Sequence, residues 1–286
     1  LRMVKVDPSM AQQWAQRAID GGVMESNAAI AYIQHTDGPE GINRNGNGQV
    51  FSTGDSFGLK LSEPFVNTLA NTNDPRLTVL GSLPEDTGEV DGSNEPILRS
   101  EMERLDPTMQ RGLPPGLDAA GLEALTGETN TQAYTETNRL LLTGEDAPYF
   151  FQTFAEVAFM LAEAGVRWGI GGAPATNYNN GVTAAMQYLS IYGDGGIISD
   201  TQISDYLVAN PYDAGNALEQ INTQYWIATF LNHIESYANW RRTGFPVLTP
   251  TNFTCNESYG TFPRILRYFE REQKANTINY QEAVDR

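Results

Sequence analysis

The chain has 286 residues, with 18 basic and 35 acidic side chains and a formal net charge of −17. That length supports one large or two ordinary domains, and a hydrophobic content of 40% separates it from disordered acidic chains. An acidic chain repels a phosphate backbone. The densest basic runs, Arg241–Arg242 and Arg264–Arg267–Arg271, are too sparse to offset this, which argues against nucleic-acid binding.

The one cysteine, Cys255, excludes an internal disulfide framework. His35 and His233 lie far apart without a Cys or His neighbour, so zinc is not expected. No apolar run reaches the roughly 18 residues that span a bilayer. The chain opens at Leu1 within a helical pattern, and residues upstream are expected, any targeting segment among them.

In chain order, residues 9–19 predict a helix capped by Ser9, with Met10, Trp14 and Ala18 or Ile19 on one face. Residues 26–34 fit a helix or an extended run. Residues 36–58 read as a Gly- and Asn-rich loop. Ser62 before Glu63–Pro64 predicts the start of a helix over 61–71. Residues 72–116 show little periodicity and read as a long irregular segment, within which 76–80, RLTVL, is the best strand candidate.

The second half is more regular. Phe150, Phe154, Val157, Ala158 and Leu161, then Val182, Ala185, Met186, Leu189 and Tyr192, recur at helical spacing on either side of a Gly-rich turn. That pattern predicts a helical hairpin of the tetratricopeptide type. Ser199 or Asp200 caps a short helix over 199–208. Residues 215–242 predict the longest helix, with two apolar stripes. Arg241 and Arg242 fall in its last turn, Gly244 at its left-handed end and Pro246 beyond. Two short helical pieces are expected near the C-terminus. The fold class is mostly α, with tetratricopeptide-like hairpins and long irregular loops. A loop-rich part covers 36–148 and a helical part 149–286.

Motifs for catalysis are weak. GIGGAP follows a helix, not a strand, and lacks dinucleotide-binding spacing. NRNGNGQ at 43–49 imitates a calcium loop, but Gly54 stands where its acidic ligand belongs. The loop PEDTGEVDGSNE is richer in oxygen, so Asp86, Glu89, Asp91 and Glu95 are candidate calcium ligands; no other cofactor is implied. Glu156 and Glu163 could imitate a glycosidase carboxylate pair, yet charges on helices more often serve packing or salt bridges. For sugar binding, loop aromatics matter most. Phe51 and Phe57, flanking Asp55, are the candidate ligand contacts, whereas Trp168 is expected to plug the hairpin turn.

An ordered set of segments resembles the SusD/RagB family of nutrient-binding outer-membrane lipoproteins. NDPRL at 73–77, GLPPGLD at 112–118, EVAFMLAEAGVRWGIGG at 156–172 and NYNNGVTAAMQYL after it are similar to family elements. QYWIATFLNHIESYANWRRTGFPVL resembles the most characteristic one, a helix running into the Trp240, Arg242, Gly244, Pro246 motif. FPRILRYFEREQKANTINYQEA resembles the terminal element, with Tyr268–Phe269 in place of the usual Tyr-Pro. The resemblance implies that residues 1–286 are the C-terminal portion of a single SusD-like domain. It implies a non-catalytic surface lipoprotein of Bacteroidota, tethered to the outer membrane by a lipid anchor outside this chain. Such a protein captures an oligosaccharide or peptide and delivers it to a SusC-like TonB-dependent β-barrel transporter. An all-α glycoside hydrolase with paired carboxylates is the alternative.

Overall fold

The computed structural model describes residues 1–36, 43–52, 59–251, 260–262 and 268–285. They form two compact units, Leu1–Leu248 and Thr249–Arg286. The first begins with α1 (Pro8–Asp20), β1 (Ala31–Gln34), α2 (Gly46–Phe51), α3 (Glu63–Asn71) and α4 (Leu77–Leu80). Next come β2 (Gly81–Ser82), β3 (Asp86–Val90), β4 (Pro96–Leu98), α5 (Glu101–Leu105), α6 (Ala119–Thr126), β5 (Glu136–Thr137), α7 (Arg139–Leu142) and β6 (Pro148–Gln152). Its remaining helices are α8 (Phe154–Trp168), α9 (Pro174–Gln187), α10 (Asp200–Ala209), α11 (Ala217–Ala228) and α12 (His233–Thr243). The second unit holds α13 (Glu270–Ala275) and α14 (Thr277–Val284). The fold is mostly α. Its described strands pair only in two-stranded antiparallel sheets, β1 with β6, β2 with β5 and β3 with β4.

The centre of the first unit is the α8–α9 hairpin with α11 against it. Thr153 and Glu156 form a reciprocal capping box that starts α8, and Pro174 opens α9. Small side chains on the facing surfaces, Ala155, Ala162 and Ala185 among them, let the helices approach closely around Phe159 and Met186, which are fully buried. Burying each large apolar side chain contributes about 1.5–3 kcal/mol. Helices α3, α4 and α10 complete this core through Phe65, Leu69, Leu77 and Ile203.

The structure corrects several sequence expectations. Asp7, not Ser9, caps α1, because its carboxylate accepts from the Met10 amide and Pro8 takes the first helical position. Met10 and Trp14 are exposed and only Ala11 is buried, so that face is not a core face. Residues 27–29 form a short 3₁₀ turn and 31–34 a strand. RLTVL forms helix, not strand. Asp74 Oδ1 accepts from the Arg76 amide and guanidinium, which folds the chain into a turn that continues as α4. Residues 148–152 are the strand β6, and helix begins only at Phe154.

The helix expected over 215–242 is broken between Ala228 and His233. Thr229 Oγ1 donates to the Tyr225 carbonyl, Leu231 adopts φ 67°, and Asn232 caps α12 by accepting from the Glu235 amide. The second stripe also fails beyond the break: Ile234 is 82% exposed. The ending of α12 is as the sequence implies. Gly244 takes φ 84°, where a side chain would be strained, and its amide closes on the Trp240 carbonyl.

Candidate functional site: an exposed aromatic face on β1 and β6

Alternation along β6 sends successive aromatic rings to opposite sides. Phe150 turns inward, its ring 5.2 Å from Tyr188 and 5.7 Å from Tyr192. Tyr149 and Phe151 turn outward together, ring centroids 5.4 Å apart and edge to face. On β1, Ile33 pairs with Tyr149 and Tyr32 with Phe150. On the outward side Phe151 is 57% exposed and Ile33 49%, whereas Tyr32 stands with Phe150 on the other side, its ring centroid 5.6 Å away. A two-stranded sheet covered on one side therefore leaves an aromatic and apolar face open to water. Solvent-facing rings of this kind can receive the apolar face of a sugar ring.

The helix α2 is fastened beside this face. The Asn45 amide donates to the Glu145 carbonyl at 2.6 Å, and Asn45 Nδ2 donates to the carbonyls of Ala147 and Pro148 at 3.0 and 3.3 Å. Ser52 Oγ bonds Glu145 Oε1, and Arg44 pairs with the same carboxylate at 2.7 Å. Across the strand pair, Gln34 Nε2 donates to the Asp146 carbonyl at 2.5 Å. These bonds hold the end of α2, which carries half-buried Phe51, next to the turn that leads into Tyr149 and Phe151. Of the other two expected contacts, Asp55 and Phe57 lie outside the described residues.

Sequence reasoning missed Ile33, in a segment that fitted helix or strand equally, and Tyr149 and Phe151, because the helical period that follows extends back over PYFFQ. A strand signal was present: three consecutive aromatics between Pro148 and the capping Thr153.

The four expected calcium ligands are not brought together. Asp86 begins β3, and its Oδ1 accepts from the Gly88 amide. Asp91 Oδ1 accepts from the amides of Ser93 and Glu95 in the tight turn between β3 and β4, and these bonds hold its carboxyl below the usual aspartate range. Among the described residues no three His, Cys, Asp or Glu side chains gather to hold a metal ion.

Glu156 and Glu163 are both buried and both engaged in structure. Glu156 accepts from the Thr153 amide and hydroxyl at 2.7 and 2.9 Å. Burial pushes its carboxyl above the usual glutamate value, partly opposed by those bonds. Glu163 receives both terminal nitrogens of Arg242, at 2.5 and 2.7 Å, and Arg167 Nε at 2.6 Å. Burial works to raise its carboxyl, but the two guanidinium groups prevail and hold it below the usual value. Arg242 also reaches Asn239 Oδ1 at 2.6 Å, and Trp240 donates its indole N–H to the Pro246 carbonyl. The four motif residues Trp240, Arg242, Gly244 and Pro246 thus lock the end of α12, and Arg242 ties it to α8. Trp168 is half-buried at the end of α8, beside Val4, Pro8 and Leu218.

A SusD-like family model, described as starch-binding and associating with the outer membrane, matches residues 1–268. The chain belongs to the SusD-like family. A solved chitin-binding protein shares 30% identity with it and aligns with a TM-score of 0.78, over 99% of this chain and 58% of its own. A SusD-like protein from Bacteroidetes shares 25% identity, with a TM-score of 0.76, over 99% of this chain and 64% of its own. A SusD homologue from Bacteroides fragilis, at 20% identity and a TM-score of 0.73, has the same fold over 99% of this chain and 60% of its own. The chain spans less than two thirds of the length of each of these relatives. No curated protein matches the sequence.

Proposed function

We propose that this SusD-like protein captures an oligosaccharide or peptide nutrient at the outer-membrane surface and passes it to a SusC-like TonB-dependent β-barrel. The observation that carries the reading is the exposed Phe151 ring, edge to face with half-buried Tyr149, in a chain of a starch-binding, outer-membrane-associated family. The similar chitin-binding protein supports a glycan as the first ligand class to test. Attachment in this reading is through a lipid anchor, as in a cell-surface lipoprotein of Bacteroidota. The protein has no turnover of its own in this account. Glu156 and Glu163, the carboxylates that suggested a glycosidase, are committed to a helix cap and to two arginines.

The test is gentle purification from native outer membranes, followed by incubation of the complex with starch and chitin oligosaccharides. Recovery with a TonB-dependent barrel, with binding and intact oligosaccharide, supports capture and delivery. Recovery alone from membranes in which other complexes survive, or cleavage of the oligosaccharide, overturns the reading.

A further inference from the structure

We infer a second saccharide subsite in a cleft of about 710 Å³ between α3, the Asn73–Pro75 turn, the Pro107–Gln110 segment and α10. The inference rests on the glycan-capture reading and deepens it. The lining residues of the cleft are separate from Tyr149, Phe151 and Ile33 of the aromatic face. Its volume falls within the range of small-molecule sites, about 300–1,000 Å³.

The cleft is built in two tiers. Its floor is apolar and fixed. Leu69 and Leu77 belong to the core, and Tyr206 is buried with its hydroxyl accepting from Gln224 Nε2 at 2.9 Å. Gln224 in turn accepts from Arg76 at 2.6 Å, and Arg76 grips Asp74 through Nε and Nη2. This buried chain of bonds makes the wall rigid, so little ordering is needed when a ligand enters. Its rim is polar and exposed. Asn73, Gln202 and Asp205 stand in water there, and among the described residues the side chains of Asn73 and Asp205 have no hydrogen-bond partner. Asn73 is held at φ 49°, a left-handed conformation that few residues adopt without support. Gln202 gives its Oε1 to the cap of α10, which leaves the amide N–H groups to face outward.

The chemistry of the lining selects among ligand classes. Among the described residues no Lys, Arg or His lines the cleft, which disfavours an anion there. The Asp74 carboxylate is already paired with Arg76, and Asp205 remains as an acceptor at the rim. A carboxylate beside two side-chain amides, above an apolar floor, matches a neutral sugar ring. Its hydroxyls both donate and accept, and its C–H face is apolar. The cleft therefore takes a unit of a neutral oligosaccharide, at a place separate from the aromatic face.

The test is methyl-resolved NMR of the protein titrated separately with maltotriose, chitotriose and trilysine. Leu77 and Ala209 report on the cleft and Ile33 on the aromatic face. Saturable shifts of the Leu77 and Ala209 methyls with a neutral sugar are expected. Asn73→Gly keeps the backbone conformation and removes the amide; with Asp205→Ala it should weaken the affinity read at those methyls about tenfold. Ile33 shifts with unmoved cleft methyls would overturn the subsite and leave glycan capture standing. Cleft shifts with trilysine alone would overturn the saccharide assignment in favour of a cationic peptide. No shift at either place with either sugar would overturn both readings.

Discussion

Replacing Arg242 with alanine tests whether the family motif is a structural lock. The side chain is 8% exposed and forks onto Glu163, whose side chain is 2% exposed. Removing one partner of a buried pair costs about 3–5 kcal/mol, because the charge left behind is desolvated and unpaired. Arg167 still reaches Glu163, through a side chain that is 25% exposed, so the lower end of that range, about 3 kcal/mol, is expected. Arg167→Ala removes the more solvated partner and should cost about 1 kcal/mol. Arg242→Lys keeps the charge but loses the fork and should fall between them. Urea unfolding followed by tryptophan fluorescence gives these differences as shifts in midpoint at constant slope. The pH dependence has a fixed sign. The Glu163 carboxyl is depressed in the folded state, so its contribution is present above the ordinary glutamate pKa of about 4.3 and is lost as pH falls through the lower folded value. The gap between wild type and Arg242→Ala should therefore narrow below about pH 4. A cost under about 1 kcal/mol at neutral pH, the scale of an exposed pair, would refute the lock.

Other substitutions probe neighbouring parts of the account. Arg76→Lys should destabilise by about 2 kcal/mol or more, because an ammonium cannot reproduce the fork that joins Asp74 to Gln224; calorimetry reads it, and an unchanged transition would contradict the buried network. At Gly181 an added Cβ would stand 2.6 Å from the Phe159 ring, so Gly181→Leu should overpack the hairpin by about 1–3 kcal/mol or more, seen as an early urea midpoint. Glu156 titrates in the opposite sense to Glu163. Its raised carboxyl contributes stability below the ordinary glutamate value that is lost as pH rises through the folded one, so the stability of Glu156→Gln relative to wild type should rise across that interval. A pH-independent difference would show that burial of Glu156 has been misjudged.

Local signals carried much of the fold. Ser62 before Glu63–Pro64, Ser199 (offered beside Asp200) and Gly244 after two arginines marked helix ends, and the structure uses all three positions; Ser199 and Gly244 satisfy backbone groups there, while the Ser62 side chain makes no capping bond. The hairpin was legible because its apolar positions repeat over whole turns. Failures occurred where a side chain far along the chain, or a single unusual backbone angle, decides. RLTVL has β-branched residues, yet the Asp74–Arg76 grip and its partner Gln224 turn it into helix. The break at Leu231 interrupts an unbroken apolar period, although Asn232 with Glu235 three residues on was a readable cap. Phe51 was expected in a loop spanning 36–58, yet the Asn45 cap turns Gly46–Phe51 into the helix α2 and leaves Phe51 half-buried at its end. Tyr149 and Phe151 were not legible, because which of three adjacent rings faces water is decided by Tyr188 and Tyr192, which claim Phe150. The acidic loop looked like a cation site because sequence shows the number of carboxylates and not their separation; in the turn, Asp91 satisfies backbone amides.

Glycan capture is tested most directly by calorimetric titration of the protein with starch- and chitin-derived oligosaccharides, wild type beside Phe151→Ala. Phe151 is exposed, so its loss should leave stability within about 0.5 kcal/mol of wild type. The account predicts saturable binding of at least one oligosaccharide, an affinity reduced about tenfold or more by Phe151→Ala, and oligosaccharide recovered intact. Absence of binding by the folded wild-type protein, undiminished binding by Phe151→Ala, or hydrolysis of the sugar would contradict it.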